Sequence, residues 1–214
     1  GSLFNPNINE LLKKANDTRL PYQSKSKIFE NIFRGGMPDI VLNNSEREIY
    51  FKSYIDTYIE KDILKLISVS YEMEFRRFMS YLSLRTAQQV NYEIYARDLG
   101  LDVKTIKRWL SILITSGIIF LLEPYMANIS NRIIKAPKLF FMDTGLCAYL
   151  CKWPNAEMLQ EGVMSGAFFE TFVVSEIVKS FYNHCIEAKN YLFYYRDIDQ
   201  KEIDLLYDIG RAHV

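Results

Sequence analysis

One stretch of this 214-residue chain, residues 91–143, constrains its fold more than any other. Asn91 is suited to cap a short helix over residues 92–99, because its side-chain oxygen can accept a hydrogen bond from a free backbone N–H. Gly100 can adopt the positive φ that ends such a helix, since it has no Cβ to clash. Asp102 is then placed to cap a second helix.

The second helix is expected to have one apolar and one basic face, because its apolar residues recur at helical spacing. Beyond Gly117, residues 118–125 and 133–142 are rich in β-branched and aromatic residues, as strands are. A polar loop at 128–131 separates them. Helix, turn, helix and two strands around a loop predict a winged helix, with residues 73–90 as its first helix. The predicted core positions are Val103, Ile106, Leu110 and Leu113, and the opposite face carries Lys104, Thr105, Lys107, Arg108 and Ser111.

The composition predicts folded cores and excludes a generally basic protein. Hydrophobic residues make up 49% and aromatic residues 14%, which argues against disorder. The net charge is +0, so any attraction to nucleic acid has to come from a local patch. Residues 97–138 provide such a patch, with seven basic and three acidic side chains.

The cysteines and the absence of a long apolar run indicate a reduced, cytoplasmic protein with no membrane partner. Cys147 and Cys151 are four residues apart on a predicted helix and are expected to share a core face. The alternative is a metal site formed by Cys151, His184 and Cys185, although zinc motifs have more closely spaced pairs.

The whole chain is predicted to be α+β and mostly helical, in three parts. These are a helical connector region at 1–72, the winged-helix domain at 73–152 and a final lobe at 153–214. The helix predicted in the lobe, 166–182, has Phe169, Phe172, Val173, Ile177 and Phe181 on one side, and residues 160–165 before it are expected to form a loop. Further helices are predicted at 28–34 and 45–68, and strands at 191–195 and 203–207.

Five short runs, together with the winged-helix segment, resemble a known family. The runs are RGGMPDIVL at 34–42, YIDTYIEKDI at 54–63, PKLFFMDTGL at 137–146, GAFFETFVVSEI at 166–177 and YYRDIDQKEIDLLY at 194–207. In this order they resemble the domain that follows the P-loop module in a large group of prokaryotic AAA-type ATPases. Three positions depart from its pattern: Asp39 stands for a usual Glu, Lys61 for Arg, and Asn131 for a basic residue.

The resemblance implies that the chain is part of a longer ATPase. An upstream module would bind ATP and Mg²⁺ and would be a partner of this region, with the oligomeric state left open. The phosphate-binding pattern G-x-x-x-x-G-K-[ST] does not occur in the sequence, so no cofactor is expected in this segment itself.

The final lobe is similar to the start of the restriction-endonuclease-like fold. In that fold a Glu on the first helix, an acid on the second strand and an E-x-K run on a third strand bind Mg²⁺ and activate water. Glu170 takes the helix position and Asp204 the strand position, with Glu202 on the same strand face. The resemblance thus makes Glu170 and Asp204 candidate metal ligands, and all three acids candidate catalytic residues. The alternative, favoured for this chain, is that Glu170 and Asp204 pair with Arg196 or Lys201 or face solvent.

The winged helix predicts binding of duplex DNA. Its second helix would place Lys104, Thr105, Lys107 and Arg108 in a major groove, and Arg132 and Lys135 of the loop region would add backbone contacts. The expected function is therefore a non-catalytic accessory region that recognises DNA or a partner. The alternatives are a Mg²⁺-dependent nuclease in the full-length protein and a protein-interaction scaffold.

Overall fold

A computed structural model describes residues 23–58, 71–125, 136–197 and 201–208. The predicted loop at 128–131, Arg132 and Lys135 lie outside these ranges. Within them the chain is mostly helical with two small sheets, so the α+β prediction is confirmed. The first elements are α1 (Lys25–Arg34), α2 (Pro38–Leu42), α3 (Arg47–Tyr58), α4 (Glu72–Ser83), β1 (Gln88–Gln89), α5 (Tyr92–Leu99) and α6 (Val103–Thr115). They are followed by β2 (Ile119–Leu122), β3 (Lys138–Phe141), α7 (Thr144–Leu150), α8 (Ala156–Glu161), α9 (Ser165–Asn183), a 3₁₀ turn (Ala188–Asn190), β4 (Leu192–Arg196) and β5 (Glu202–Tyr207).

The helix caps expected in segment 91–143 are present. The Asn91 side chain accepts the N–H of Ile94 at 2.9 Å, and Gly100 ends α5 with a φ of 71°. Asp102 Oδ1 accepts the N–H of Thr105 at 2.8 Å and starts α6. These interactions stabilise two helices that are separated by three residues.

The strands that flank this helix pair form an antiparallel sheet in the order β1-β3-β2. The single helix predicted over 73–90 is wrong at its end, because α4 stops at Ser83 and the chain then forms β1. Ala87 has a φ of 62°, and its N–H donates to the carbonyl of Leu139 at 2.7 Å. Pairing with β3 therefore overrides the helical preference of residues 84–87.

The apolar face predicted for α6 packs into the main core, where Ile106, Leu110 and Leu113 are fully buried. The core also includes Trp109, whose ring centroid lies 5.3 Å from that of Phe75 and 5.5 Å from that of Phe78, both on α4. These aromatic contacts hold α6 against α4. Each contributes about 0.5–1.5 kcal/mol to stability in addition to the free energy gained by burying the rings.

The buried face of α9 differs from the predicted one. Phe168, Val174 and Val178 are buried, whereas Phe169 is 46% exposed and Val173 37% exposed. The buried stripe also includes polar residues, which apolar periodicity overlooks. One of them, Thr171, shares a 2.8 Å hydrogen bond between its hydroxyl and that of Thr86. The loop predicted at 160–165 is present but shorter, because α8 runs to Glu161 and α9 begins at Ser165.

Strand β3 lies between two hydrophobic cores, and its alternation decides where Lys138 points. Leu139 and Phe141 belong to the core formed with the helices of the first half of the chain. Phe140 belongs to a second core, with Val174 and Val178 of α9. Because side chains alternate along a strand, Lys138 shares the second side with Phe140 and faces α9 and β5.

The runs RGGMPDIVL and PKLFFMDTGL meet where α1 ends and α7 begins. Asp143 caps α7 through Oδ1, which accepts the N–H of Leu146 at 2.7 Å. Its other oxygen, Oδ2, accepts the N–H of Gly36 at 2.8 Å. The Arg47 guanidinium donates to the carbonyls of Phe33 at 2.9 Å and Gly145 at 3.1 Å. Backbone and side-chain contacts together join these two distant runs.

Candidate functional site

Three carboxylates surround one buried ammonium group. Lys138 is the first residue of β3, and its side chain is only 6% exposed. Its Nζ donates to Glu170 Oε1 on α9 at 2.6 Å and to Glu202 Oε1 on β5, and it lies 3.5 Å from Asp204 Oδ1. The cluster joins a strand of the first half of the chain to a helix and a strand of the second half.

Local structure explains how these side chains meet. Glu202 and Asp204 are two residues apart on β5 and therefore project from the same face of the strand. Glu170 lies on α9, next to buried Thr171. The Tyr194 ring closes one side, with its centroid 5.8 Å from Lys138 Nζ. The other side of the cluster is open to solvent, since the Asp204 side chain there is 63% exposed.

The pKa shifts in the cluster arise because the single ammonium group of Lys138 pairs with three carboxylates. Burial disfavours the charge on Lys138, but hydrogen bonds from its ammonium group to Glu170 and Glu202 outweigh that effect and raise the pKa of Lys138. Burial raises the pKa of Glu170, and the charges of Asp204 and Glu202 add to the rise, although Lys138 opposes it. The ammonium is thus fully compensated, whereas the carboxylates share it and retain an excess of negative charge.

The candidate residues Glu170, Glu202 and Asp204 are brought together, with ligand atoms within 4.8 Å of one another. Carboxylate oxygens suit a hard cation such as Mg²⁺. Among the described residues the ammonium that lies between them is that of Lys138, which the sequence did not indicate as their partner. Arg196 approaches Glu202, with Nε 3.7 Å from Oε2.

Lys138 belongs to the positively charged patch predicted at 97–138, but its side chain is buried and its charge is neutralised by the cluster. It therefore adds nothing to the attraction of an anionic partner.

The alternative metal group of Cys151, His184 and Cys185 is not assembled within the described part of the chain. Cys147 is buried, as expected for a core residue, Cys151 is half-buried and Cys185 is exposed.

Helix α6 presents the basic face that the sequence predicted. Lys104, Lys107 and Arg108 are exposed, and no acidic residue lies between positions 103 and 115. Lys107 Nζ lies 5.1 Å from the ring centroid of Tyr92 on α5, a contact that the sequence did not indicate. Three cations on an outer helix face form a local patch of positive potential in a neutral chain.

Thr105, on the same face, takes part in the cap of α6. Its hydroxyl donates to Asp102 Oδ2 at 2.7 Å, in addition to the backbone bond of the cap. Hydrogen bonds from the Thr105 hydroxyl and amide lower the pKa of Asp102 and keep the cap ionised. The hydroxyl is therefore engaged within the chain, and Thr105 acts first as part of the cap.

The ends of segment 126–135 are joined to one residue of β4. The carbonyl of Tyr194 accepts the N–H of Tyr125 at 2.6 Å. The phenol of Tyr194 donates to the carbonyl of Ala136 at 2.6 Å and accepts from Gln89 Nε2 at 2.9 Å. Tyr194 thus contacts the last residue before the segment and the first residue after it.

Residues 25–157 match the model of a family described as a domain of unknown function (DUF8612), and the chain belongs to that family. Residues 165–214 match a second domain of unknown function (DUF4143), a domain often found C-terminal to AAA ATPase modules.

Two curated relatives resemble the chain over most of its length. They are the uncharacterized proteins Rv2008c of Mycobacterium tuberculosis (strain ATCC 25618 / H37Rv) and Mb2031c of Mycobacterium bovis (strain ATCC BAA-935 / AF2122/97). Each is 28% identical over 183 residues, covering 84% of this chain. The chain spans 40% of the length of these relatives. No solved structure matches it. None of the described helices is long and apolar enough to cross a membrane.

Proposed function

We propose that the elements from α4 to β3 form a winged-helix module that binds duplex DNA through α6, as a non-catalytic accessory region of a longer AAA-type ATPase. The observation that carries this proposal is the exposed cationic face of α6, formed by Lys104, Lys107 and Arg108 with no acid on the same helix. The link to an ATPase rests on the place where the domain matched by residues 165–214 is often found.

The order of elements supports the winged-helix part of the proposal. Along the chain, a first helix and a short strand are followed by two helices joined by a tight turn and then by two further strands. In the sheet, β3 lies between β1 and β2. In a winged helix the second helix of the helix-turn-helix is the one that enters the groove. Here that helix is α6, whose opposite face is fixed in the core by Trp109 and Leu110.

The size and charge of α6 fit a major groove. Its 13 residues span about 20 Å at 1.5 Å per residue, and a B-DNA major groove about 12 Å wide admits one helix. Lys107 and Arg108 follow Lys104 by three and four positions, so the three side chains lie on one face of the helix. Cations placed in this way contact phosphates or guanine edges. Thr105 is left to hold the helix start.

Replacing Lys104, Lys107 and Arg108 by Ala should weaken binding to duplex DNA by about tenfold or more at moderate salt. Each lost phosphate contact lowers the slope of log K against log[salt] by about one, so the slope should fall by up to about three. Fluorescence anisotropy with a labelled duplex over a range of NaCl concentrations measures both quantities.

A matched control removes three exposed lysines elsewhere, Lys25, Lys27 and Lys189, and should leave both the affinity and the slope nearly unchanged. Both triple variants should unfold within about 0.5 kcal/mol of the parent, since exposed substitutions have small effects. Equal losses in the two triple variants would indicate non-specific attraction. Absence of salt-dependent binding by the parent would refute DNA binding in favour of a protein-interaction scaffold that docks on the ATPase module.

The second candidate function is that of a metal-dependent nuclease in a longer protein, which the convergence of Glu170, Glu202 and Asp204 favours. For this chain we expect no nicking of supercoiled plasmid in Mg²⁺ or Mn²⁺, because a cation would have to compete with the Lys138 ammonium for the same oxygens. Agarose electrophoresis of plasmid incubated with the protein tests this. Nicking that both Glu170→Gln and Asp204→Asn abolish, while Glu176→Gln does not, would establish the nuclease instead.

A further inference from the structure

We propose that a cavity beside α3 binds a guanidinium group, which can belong to a small molecule or to an arginine side chain of a polypeptide. The cavity has a volume of about 690 Å³, within the usual range for small-molecule sites. Its walls come from α2, α3 and the residue that follows α6. None of these lining residues belongs to the basic face of α6 or to the carboxylate cluster around Lys138, so the proposal does not depend on DNA binding.

One wall of the cavity is a row of three tyrosine rings on α3. Tyr50, Tyr54 and Tyr58 are each four residues apart and therefore lie on one side of the helix. The planes of the first two rings are inclined by 13° with centroids 6.2 Å apart, and those of the second and third by 5° with centroids 6.4 Å apart. Phe51 and Ile55 of the same helix are buried in the main core, whereas Tyr50 and Tyr54 are half-buried. The row thus presents aromatic surface to the cavity.

The charge at the cavity is negative. Asp39 of α2 lines it, and none of the described lining residues is a lysine or an arginine. The Asp39 carboxylate accepts the side-chain N–H of Asn43 at 2.9 Å, and it forms no ion pair within the described part of the chain. Burial raises the pKa of the Tyr50 phenol, and the negative charges of Asp39 and Asp143 add to the rise. A cation that enters the cavity therefore meets a carboxylate without a counter-charge.

The end of α6 adds negative potential beside Tyr58. Ser116 is the C-cap of α6 and lines the cavity, and its hydroxyl accepts a hydrogen bond from the Tyr58 phenol at 2.9 Å. The C-terminus of a helix carries a partial negative charge that favours cations, and the last turn of α6 contains no basic residue. From Tyr50 to Tyr58 the row of rings spans about 12 Å at 1.5 Å per residue. The cavity can thus hold a cationic head together with its aliphatic stem.

The shape of the site distinguishes between kinds of cation. Parallel rings in a row offer flat faces, unlike the aromatic cage that surrounds a quaternary ammonium group. A guanidinium is planar, stacks on aromatic faces and pairs with a carboxylate through two parallel N–H bonds. Its remaining N–H groups need acceptors, and the hydroxyls of Ser53, Thr57 and Ser116 line the same cavity. Flat faces, a carboxylate and hydroxyl acceptors together favour a guanidinium.

Titration of nitrogen-15-labelled protein by NMR tests the proposal with two probes. Butylguanidine presents a free guanidinium, and acetyl-Gly-Arg-Gly-amide presents one on a polypeptide. Both should shift the amide signals of residues 39–42, 53–58 and 116. Their neutral isosteres, butylurea and acetyl-Gly-citrulline-Gly-amide, should bind at least about tenfold more weakly, because they lose the charge-assisted bonds to the carboxylate.

The outcomes of the titration separate the two sources of the guanidinium. Comparable affinities for the two probes would support a small molecule as the ligand, and a peptide that binds at least about tenfold more tightly would support an arginine of a polypeptide. Equal binding of the charged probes and their neutral isosteres would overturn the proposal. So would the absence of binding, or shifts confined to the acidic residues of α9 and β5.

Variants of the lining residues test the roles of charge and stacking separately. Asp39→Asn should weaken binding of both charged probes by about tenfold or more, because the ion pair is lost. Glu157→Gln is the matched control: it removes one negative charge at an exposed position that does not line the cavity, and it should change the affinity by less than about twofold, since exposed charges elsewhere are screened. Asp39→Asn binding as tightly as the parent would refute the site.

Tyr54→Leu should weaken binding by about three- to tenfold, because it removes the central aromatic face of the row. Tyr54→Phe keeps that face and should bind within about twofold of the parent. Urea unfolding checks that both variants fold, and the test at the exposed Asp39 stands on its own if Tyr54→Leu does not. Equal losses in the two Tyr54 variants would refute stacking on the row.

Discussion

Lys138→Met is expected to lower the free energy of unfolding at pH 7 by about 3–5 kcal/mol, the usual result of removing one partner from a buried ion pair. Met fills a similar volume with an unbranched chain, so lost packing contributes little. The loss arises because the half-buried carboxylate of Glu170, and that of Glu202 beside it, lose the buried ammonium that compensates their negative charges. Urea unfolding followed by circular dichroism measures the difference.

The effect of Lys138→Met should depend on pH in a defined direction. Burial raises the pKa of Glu170. Protonation of Glu170 removes a charge that lacks a partner in the variant, so the difference in the free energy of unfolding between parent and variant should narrow as the pH falls through the pKa of Glu170. At alkaline pH the effect depends on Lys138, whose pKa is raised in the folded protein. The stability that the Lys138 ammonium contributes is fully present below the ordinary lysine pKa of 10.5 and is lost as the pH rises through the higher pKa of the folded state.

Lys201→Met is the matched control, because Lys201 is exposed and directly precedes Glu202. It should change the free energy of unfolding by less than about 0.5 kcal/mol. If Lys138→Met were no worse than this control, or if its cost were the same at pH 4 and pH 7, the cluster would not hold the two halves of the chain together by charge.

Features that depend on a few neighbouring residues could be predicted from the sequence. The caps at Asn91, Asp102 and Asp143 each involve a side chain and a backbone N–H three residues later. The cationic face of α6 follows from helical spacing alone. That Glu202 and Asp204 project from the same face of β5 follows from the alternation of side chains along a strand. Local geometry decides each of these, so tertiary contacts do not alter them.

Features that depend on distant contacts could not be predicted in this way. Lys138 meets Glu170 and Asp204 across 32 and 66 positions of the sequence. The end of α4 at Ser83 is decided by the hydrogen bond from Ala87 to Leu139. The buried side of α9 is set by packing on β3 and by the Thr86–Thr171 hydrogen bond. A lysine at the start of the apolar run LFFM was a usable signal, because a charge that enters a core needs a partner there.

The contact between the runs RGGMPDIVL and PKLFFMDTGL leads to the second large expected effect. Gly145 lies in the first turn of α7, and a Cβ at this position would be 2.5 Å from the carbonyl oxygen of Arg34 and 2.7 Å from Cα of Gly35. Both neighbours are backbone atoms that cannot rotate away. The φ of Gly145 is not positive, so the obstacle to a larger residue is contact alone.

Gly145→Ala should therefore lower the free energy of unfolding by about 1–3 kcal/mol, the usual range for overpacking. This loss is expected even though Ala is the better helix former by about 1 kcal/mol. The hydrogen bonds from Arg47 to the Gly145 carbonyl and from Gly36 to Asp143 would be strained as α1 and α7 separate. Urea unfolding of parent and variant measures the cost.

Gly36→Ala is a matched control, because a Cβ there would meet its nearest neighbours, Lys179 Nζ and Asp143 Oδ2, at 3.6 and 3.8 Å, which is ordinary contact distance. The φ of Gly36 is also outside the positive region. This variant should stay within about 1 kcal/mol of the parent and can gain slightly from the reduced entropy of the unfolded chain. Equal costs for the two substitutions would mean that α1 and α7 can move apart freely. A selective cost at Gly145 would show that the close approach of backbone to backbone, rather than the hydrogen bonds of Asp143 alone, requires glycine in the run MDTGL.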